Sequence, residues 1–129
     1  MTFTHDFFAL ALCAMAAGCA TPSPPKEFPP GAQQIPAQAL KDRLSGRSYT
    51  ARLSNRTGWH MAYGADGSFR MRTSDGNSDQ GRWRTEDSRM CVAFEGPFPS
   101  GCSEMRVDDK LLYLQRRGTG EVVALEPAP

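Results

Sequence analysis

The chain has 129 residues, room for one domain, and balances 15 Lys and Arg against 14 Asp and Glu. A formal net charge of +1 gives no electrostatic reason to invoke nucleic acid, so no nucleic-acid partner is expected. Hydrophobic content of 40% with charged content of 22% suits a soluble globular domain, and 12 glycines and 10 prolines call for many turns and at least one linker.

Residues 7–18, FFALALCAMAAG, form an apolar run of signal-peptide length that ends in small residues. MTFTHD before it carries Asp6 and no Lys or Arg, so the usual positive n-region is missing. A buried N-terminal helix is the alternative, but the linker that follows would detach it from any core. The stretch AAGC, Ala16 to Cys19, resembles the lipobox of bacterial lipoproteins, with Ala16 in the position usually held by leucine. That resemblance implies cleavage before Cys19 and acylation of its thiol. Ala20 rather than Asp in the next position implies sorting to the outer membrane, with the domain facing the periplasm. Each buried acyl methylene contributes about 0.8 kcal/mol, so several chains make the membrane a permanent partner.

The other cysteines then sort themselves. Cys13 leaves with the signal, and Cys91 and Cys102 remain to pair as a disulfide in an oxidising compartment. Closing so short a loop stabilises a fold by about 2–3 kcal/mol. Zinc is the competing use, but the chain has no CxxC and the mature part offers His60 alone as an imidazole, so neither a metal nor a cofactor is expected.

ATPSPPKEFPPGAQQIP, residues 20–36, holds six prolines and shows neither helical nor alternating periodicity, which predicts an extended, mobile tether. AQALKDRLSG reads as a short helix or turn ending at Gly46, with Ala39, Leu40 and Leu44 on one side. The expected organisation is a signal peptide over 1–18, a lipidated cysteine with tether and short helix over 19–43, a β-domain over 44–126 and a tail over 127–129.

From Ser48 onward, eight short alternating segments are separated by turn clusters: SYTARL, WHMAY, SFRMRT, GRWRT, MCVAF, SEMRV, LLYLQR and EVVALE. A three-residue loop with Gly67 left-handed pairs Tyr63 with Phe69 and Met61 with Met71. The same inward face continues with Met71 opposite Trp83, and a tight turn at Asp87 and Ser88 sets Val92 opposite Trp83. The predicted core therefore includes Tyr49, Ala51, Leu53, Trp59, Met61, Tyr63, Phe69, Met71, Trp83, Val92 and Phe94. Two-residue turns at DD and TG add Met105, Val107, Leu112, Leu114, Val123 and Leu125. Eight consecutive strands without a crossover helix give an all-β fold, a small antiparallel up-and-down β-barrel closed by pairing the first strand with the last. Strands this short leave an interior largely filled by side chains, which argues against a lipocalin-sized ligand.

The order LSGRSY, WHMAYGADGSF, GRWR, a cysteine strand, a second cysteine after a Gly-containing loop and LLYLQRRGTGE resembles small calycin-like (lipocalin-like) barrels secreted by bacteria. The resemblance covers about the last two-thirds of the chain and implies a fold rather than an activity.

With Met71 and Trp83 inward, Arg70, Arg72, Arg82 and Arg84 face outward, Arg72 beside Arg82, Arg70 beside Arg84 and His60 beside Arg72. Like charges on adjacent strands invite an anionic partner, such as phosphate or carboxylate groups of lipopolysaccharide, peptidoglycan or an acidic envelope protein. The bland alternative is a solvated exterior neutralised by Asp66, Asp75, Asp79, Glu86 and Asp87. Phe98, between two prolines in EGPFPSG, either presents an aromatic contact to a partner or caps the open end of the barrel. His60 has no Ser or Asp partner in local sequence, so no catalytic residues are assigned and the chain is not expected to be an enzyme. The expectation is a monomeric, non-catalytic binding or envelope-maintenance lipoprotein. The alternative is a periplasmic inhibitor of a hydrolase such as lysozyme or a metalloprotease, although the lysozyme-inhibitor loop signatures are absent and the tryptophan and cysteine order departs from the protease-inhibitor pattern.

Overall fold

A computed structural model describes residues 24–129; the expected signal peptide and Cys19 lie outside the described residues. The order is α1 (Ala37–Leu44), β1 (Arg47–Arg52), β2 (Gly58–Tyr63), β3 (Ser68–Thr73), β4 (Ser78–Glu86), β5 (Arg89–Phe94), β6 (Gly101–Val107), β7 (Leu112–Gln115) and β8 (Val122–Pro127). Each strand pairs antiparallel with the next, and β1 pairs with β8 through Tyr49↔Pro127 and Thr50↔Glu126, so the barrel closes as the sequence predicts. Its inner face is apolar and its outer face is rich in Arg, Ser, Thr and Glu, the inverse of a membrane-spanning barrel.

One end is plugged. Leu40 and Leu44, on one side of α1, are fully buried against the ends of β1, β4 and β5. The helix is held by polar contacts: the Thr85 hydroxyl donates to the Ala37 carbonyl at 2.8 Å, and the Tyr49 hydroxyl donates to the Arg43 carbonyl at 2.7 Å. Gly46, at φ 73°, ends it in the left-handed region where a side chain is costly and hands the chain to β1, its N–H donating to the Tyr63 carbonyl at 2.7 Å. Above the plug an aromatic series climbs the interior. Tyr49 and Tyr63 are 6.1 Å apart, Tyr63 and Phe69 5.0 Å, Phe69 and Phe94 5.7 Å, and Phe94 and Phe98 5.5 Å. Trp83 packs edge-on to Tyr63 and donates its indole N–H to the Gly64 carbonyl at 2.9 Å. Gly81 lies under this series because any Cβ there would run into the Ala93 carbonyl.

The inward sets are those expected, but three heights differ. Tyr63↔Phe69, Met61↔Met71, His60↔Arg72 and Trp83↔Val92 match expectation. Met71, however, faces Asp79 rather than Trp83, a shift of four positions that preserves which residues point inward. The cause is the turn: Ser74–Asn77 forms a complete loop, with Gly76 at φ 93°, the Thr73 N–H donating to the Asn77 carbonyl and the Thr73 hydroxyl bonded to Asp75. Ser78, Asp79 and Gln80 therefore belong to β4.

The last two hairpins also turn over four residues rather than two. Val107 pairs with Leu112 because the Asp108 carboxylate accepts from the Lys110 and Leu111 N–H groups at 2.8 and 2.9 Å and from the Tyr113 hydroxyl at 2.7 Å. Arg116 donates its N–H to the Glu121 carbonyl at 2.7 Å across a loop with Gly118 and Gly120 at positive φ.

The described part of the proline-rich segment, from residue 24, has no helix and one tight turn closed by the Ala32 N–H on the Pro29 carbonyl, and from Pro25 onward it is held on the barrel rather than forming the mobile tether expected. The Val122 N–H donates to the Pro25 carbonyl at 2.8 Å, Gln33 and Val107 exchange backbone hydrogen bonds of 2.8 and 2.9 Å, and the Arg106 guanidinium lies 4.6 Å from the centre of the Phe28 ring. Ile35 packs on the core and donates its N–H to the buried Ser88 hydroxyl at 3.1 Å. This segment covers Val122, an outward residue that is nonetheless buried.

Cys91 and Cys102 are directly opposite on β5 and β6 and form a disulfide, with Cα atoms 3.9 Å apart. The plug carries more of the core than the bridge does. Leu44→Ala is expected to cost about 2–5 kcal/mol, read as a lower midpoint in urea unfolding; a change within error would show that α1 is dispensable for closing the barrel.

Candidate functional site at the barrel mouth

The end opposite α1 is open. It is framed by the β1–β2 loop, the β3–β4 loop, the EGPFPSG loop between β5 and β6, and the β7–β8 loop. Between them lies a cavity of about 300 Å³ whose walls include Trp59, Met61, Met71, Val92, Phe94 and Leu114, with Arg116 and Arg117 on its rim. Each wall residue is an inward position of its strand, so the alternation that builds the core also builds the cavity.

Phe98 forms part of the cover. It is half-buried, edge-on to Phe94 at 5.5 Å, and so caps the mouth as one of the two sequence expectations has it. Its loop is latched by Asp79, the first inward residue of β4. One carboxylate oxygen accepts from the Gln80 and Gly96 N–H groups at 2.8 and 2.9 Å, and the other accepts from the Phe98 N–H at 2.9 Å. Arg117 holds the same loop from the other side, its guanidinium donating to the Pro99 carbonyl at 2.6 Å. Partial desolvation works to raise the Asp79 pKa, but the N–H groups of Phe98, Gln80 and Gly96 outweigh it and hold the carboxyl below the ordinary Asp range.

Arg116 and Glu121 continue the inward registers of β7 and β8 to the rim. An Arg116 terminal nitrogen donates to a Glu121 carboxylate oxygen at 2.8 Å, and the other oxygen accepts from the Ser54 N–H at 2.8 Å. This ties the β7–β8 loop to the β1–β2 loop across the seam where β1 and β8 share only two paired positions. Burial works to raise the Glu121 pKa, but Arg116 and the Ser54 N–H hold it below the usual carboxylate range. The Arg116 guanidinium lies 5.1 Å from the centre of the Trp59 ring, and its Nε is buried without an acceptor among the described residues.

The structure divides the expected basic face. His60, Arg70 and Arg72 lie together on the outside of β2 and β3, and Arg52 of β1, not anticipated from sequence, joins them around a shallow groove over β8, β1, β2 and β3. Among the described residues, Arg52, Arg70 and Arg72 have no ion-pair partner. Arg82 and Arg84 are elsewhere, because the β3–β4 register sets Arg70 against Gln80 and Arg72 against Ser78. Arg82 donates to the Asp66 carbonyl at 2.8 Å, and Arg84 pairs with Glu86 at 2.9 Å.

Among the described residues, Glu86, Cys91 and Cys102 bring potential metal-ligand atoms within 4.8 Å of one another, but the disulfide engages both sulfurs. Sequence reasoning missed the roles of Asp79, Arg116 and Glu121. Asp79 looked like a turn carboxylate, and the other two become partners only once the last loop is counted at four residues.

Asp79 makes a pH-dependent latch. Its folded pKa is lowered, so its contribution is present above the unfolded value of about 3.9 and is lost as pH falls through the folded value. Asp79→Ala at neutral pH is expected to speed amide hydrogen exchange at Gly96 and Phe98 by about tenfold or more, and protonating Asp79 in acid should lower the protection factors of the same amides in the parent chain, measured against the slower intrinsic exchange at that pH. Unchanged exchange at both amides would show that the carboxylate does not hold the loop.

Neither the protein-family models, nor the curated proteins, nor the solved structures searched contain a match to this chain, so the reading of its function rests on the geometry of the mouth and the outer face.

Proposed function

We propose that this protein is an outer-membrane-anchored, periplasmic, non-catalytic binding module, and that its barrel mouth takes a small amphiphile with an anionic head. The observation that carries this reading is the apolar cavity of about 300 Å³ with two guanidiniums on its rim. That volume corresponds to about ten waters of liquid, enough for a medium-length alkyl chain and at the small end of ligand pockets. Met61, Met71 and Met90 give the walls adaptable shape. Because Glu121 neutralises Arg116, Arg117 supplies the unpaired charge that would favour a carboxylate over an uncharged head. Removing a ligand of this kind from water needs no nucleophile or base.

Two measurements test the reading. Decanoate should quench tryptophan fluorescence saturably at one equivalent per chain, with decanol about tenfold weaker or worse, the discrimination expected of one charge-assisted contact. Decanol binding as tightly as decanoate, or no saturation, would sink the proposed ligand class. Anchoring is tested separately by metabolic labelling with palmitate, which should vanish in Cys19→Ser; persistent label would refute acylation at that thiol.

A further inference from the structure

We infer that the mouth of the barrel, rather than its plugged end, faces the membrane and docks on anionic phospholipid headgroups. This rests on the anchoring reading above and adds an orientation and a second lipid contact to it. The barrel end at which the N-terminal segment joins the domain carries the argument. The first hydrogen bond that fixes the segment is from the Val122 N–H to the Pro25 carbonyl, and Gln115 donates to the Lys26 carbonyl at 3.1 Å. Val122 begins β8 and Gln115 ends β7, so both flank the loop that carries Arg116 and Arg117. The segment then runs the length of the barrel, reaching Val107 at the plugged end through Gln33 before α1 begins. The chain therefore comes onto the domain at the mouth.

Covalent length does the rest. Six residue steps separate Cys19 from Pro25, and each spans at most about 3.3–3.6 Å, so an acylated Cys19 keeps the mouth within about 20 Å of the bilayer surface. A free tether over residues 20–36 would have allowed any orientation; one that is fixed from Pro25 does not. The side chains at this end suit the contact. Arg52 and Arg72 lie at the mouth-proximal ends of β1 and β3, face outward and have no ion-pair partner among the described residues. Lys26, whose carbonyl accepts from Gln115, and Arg117 on the cavity rim belong to the same end, and each basic group near an anionic leaflet contributes attraction that salt screens. Trp59 places an indole ring at the same end, a side chain enriched at membrane–water interfaces. An amphiphile leaving that leaflet would meet the cavity directly.

The two tryptophans of the chain report the orientation, because Trp59 is at the mouth and Trp83 packs against Tyr63, four positions deeper on β2 and near the plug. Acylated protein in vesicles of phosphatidylethanolamine and phosphatidylglycerol containing dansyl-headgroup lipid is excited in two single-tryptophan forms, Trp83→Phe and Trp59→Phe. Energy transfer to the lipid should be about twofold or more stronger from Trp59, since four residues of β2 separate it by roughly 13 Å from Tyr63, the residue on which Trp83 packs. It should weaken when Arg52 and Arg72 are both changed to Ser. A parallel measurement needs no core substitution: headgroup nitroxide lipids should broaden amide signals of residues 54–57 and 74–77 more than those of 108–111. Protein that fails to associate with vesicles would indict the anchor. Associated protein with equal transfer from both tryptophans, or with stronger broadening at 108–111, would overturn the orientation while leaving the anchor intact.

Discussion

A barrel of eight strands, most of them six or seven residues long, has little height over which to bury an interior, so its stability depends on what closes its two ends. The two ends are closed differently. At one, Leu40 and Leu44 of α1 fill the opening with apolar volume and are fixed by Tyr49 and Thr85. At the other, a half-buried Phe98 is held by backbone bonds to Asp79 and by Arg117. Removing the first would open the core to water; releasing the second exposes only a cavity. The fold thus separates a structural end from one that can open without global unfolding.

Alternation made the fold class and the inward set legible. Every residue expected in the interior from Tyr49 to Phe94 is buried or packed against the core. What alternation cannot fix is height, because moving a strand by two or four residues returns the same face to the core. Height is set by loops, and three of them are governed by side chains that bond their own backbone or by left-handed glycines. Asp75 and Gly76 close one loop, Asp108 another, and Gly118 with Gly120 the third. SDGNSDQ looked like one long loop because its last three residues are polar, but they are polar for being at the rim of a strand. The arginine cluster was split by that single turn, which moved Arg82 and Arg84 away from Arg70 and Arg72 and left Arg52 to take their place.

The N-terminal segment shows a different limit. Six prolines within residues 20–36 disfavour helix, and the described part before α1 is irregular chain with one turn at Pro29–Ala32. Nothing in composition reveals docking, because the contacts are a backbone hydrogen bond accepted by Pro25, a pair exchanged between Gln33 and Val107, and two apolar side chains, Phe28 and Ile35, too widely spaced to make a periodic signal. Chain with few internal hydrogen bonds leaves most carbonyls free to accept from an outside strand position, as Pro25 does from the Val122 N–H. Proline-rich sequence is therefore as suited to lying along a barrel as to floating from it.

The same distinction bears on the mouth. An apolar cavity left open to solvent costs the dispersion and hydrophobic stabilisation that a filled interior would provide. Filling it would need only larger side chains at Met71 or Leu114, which already point inward. Instead the rim carries a buried carboxylate, Glu121, stabilised by Arg116 and the Ser54 N–H, and an Arg116 Nε without an acceptor among the described residues. Desolvating that pair has its own cost, which attraction between the partners offsets only when the geometry is good and the remaining donors are satisfied. A core built for stability alone would have neither the cavity nor the incompletely satisfied guanidinium. Both deficits fall at the end of the barrel that the Phe98 loop covers and that the N-terminal segment joins, and a ligand with an apolar body and an acceptor head would remove both at once.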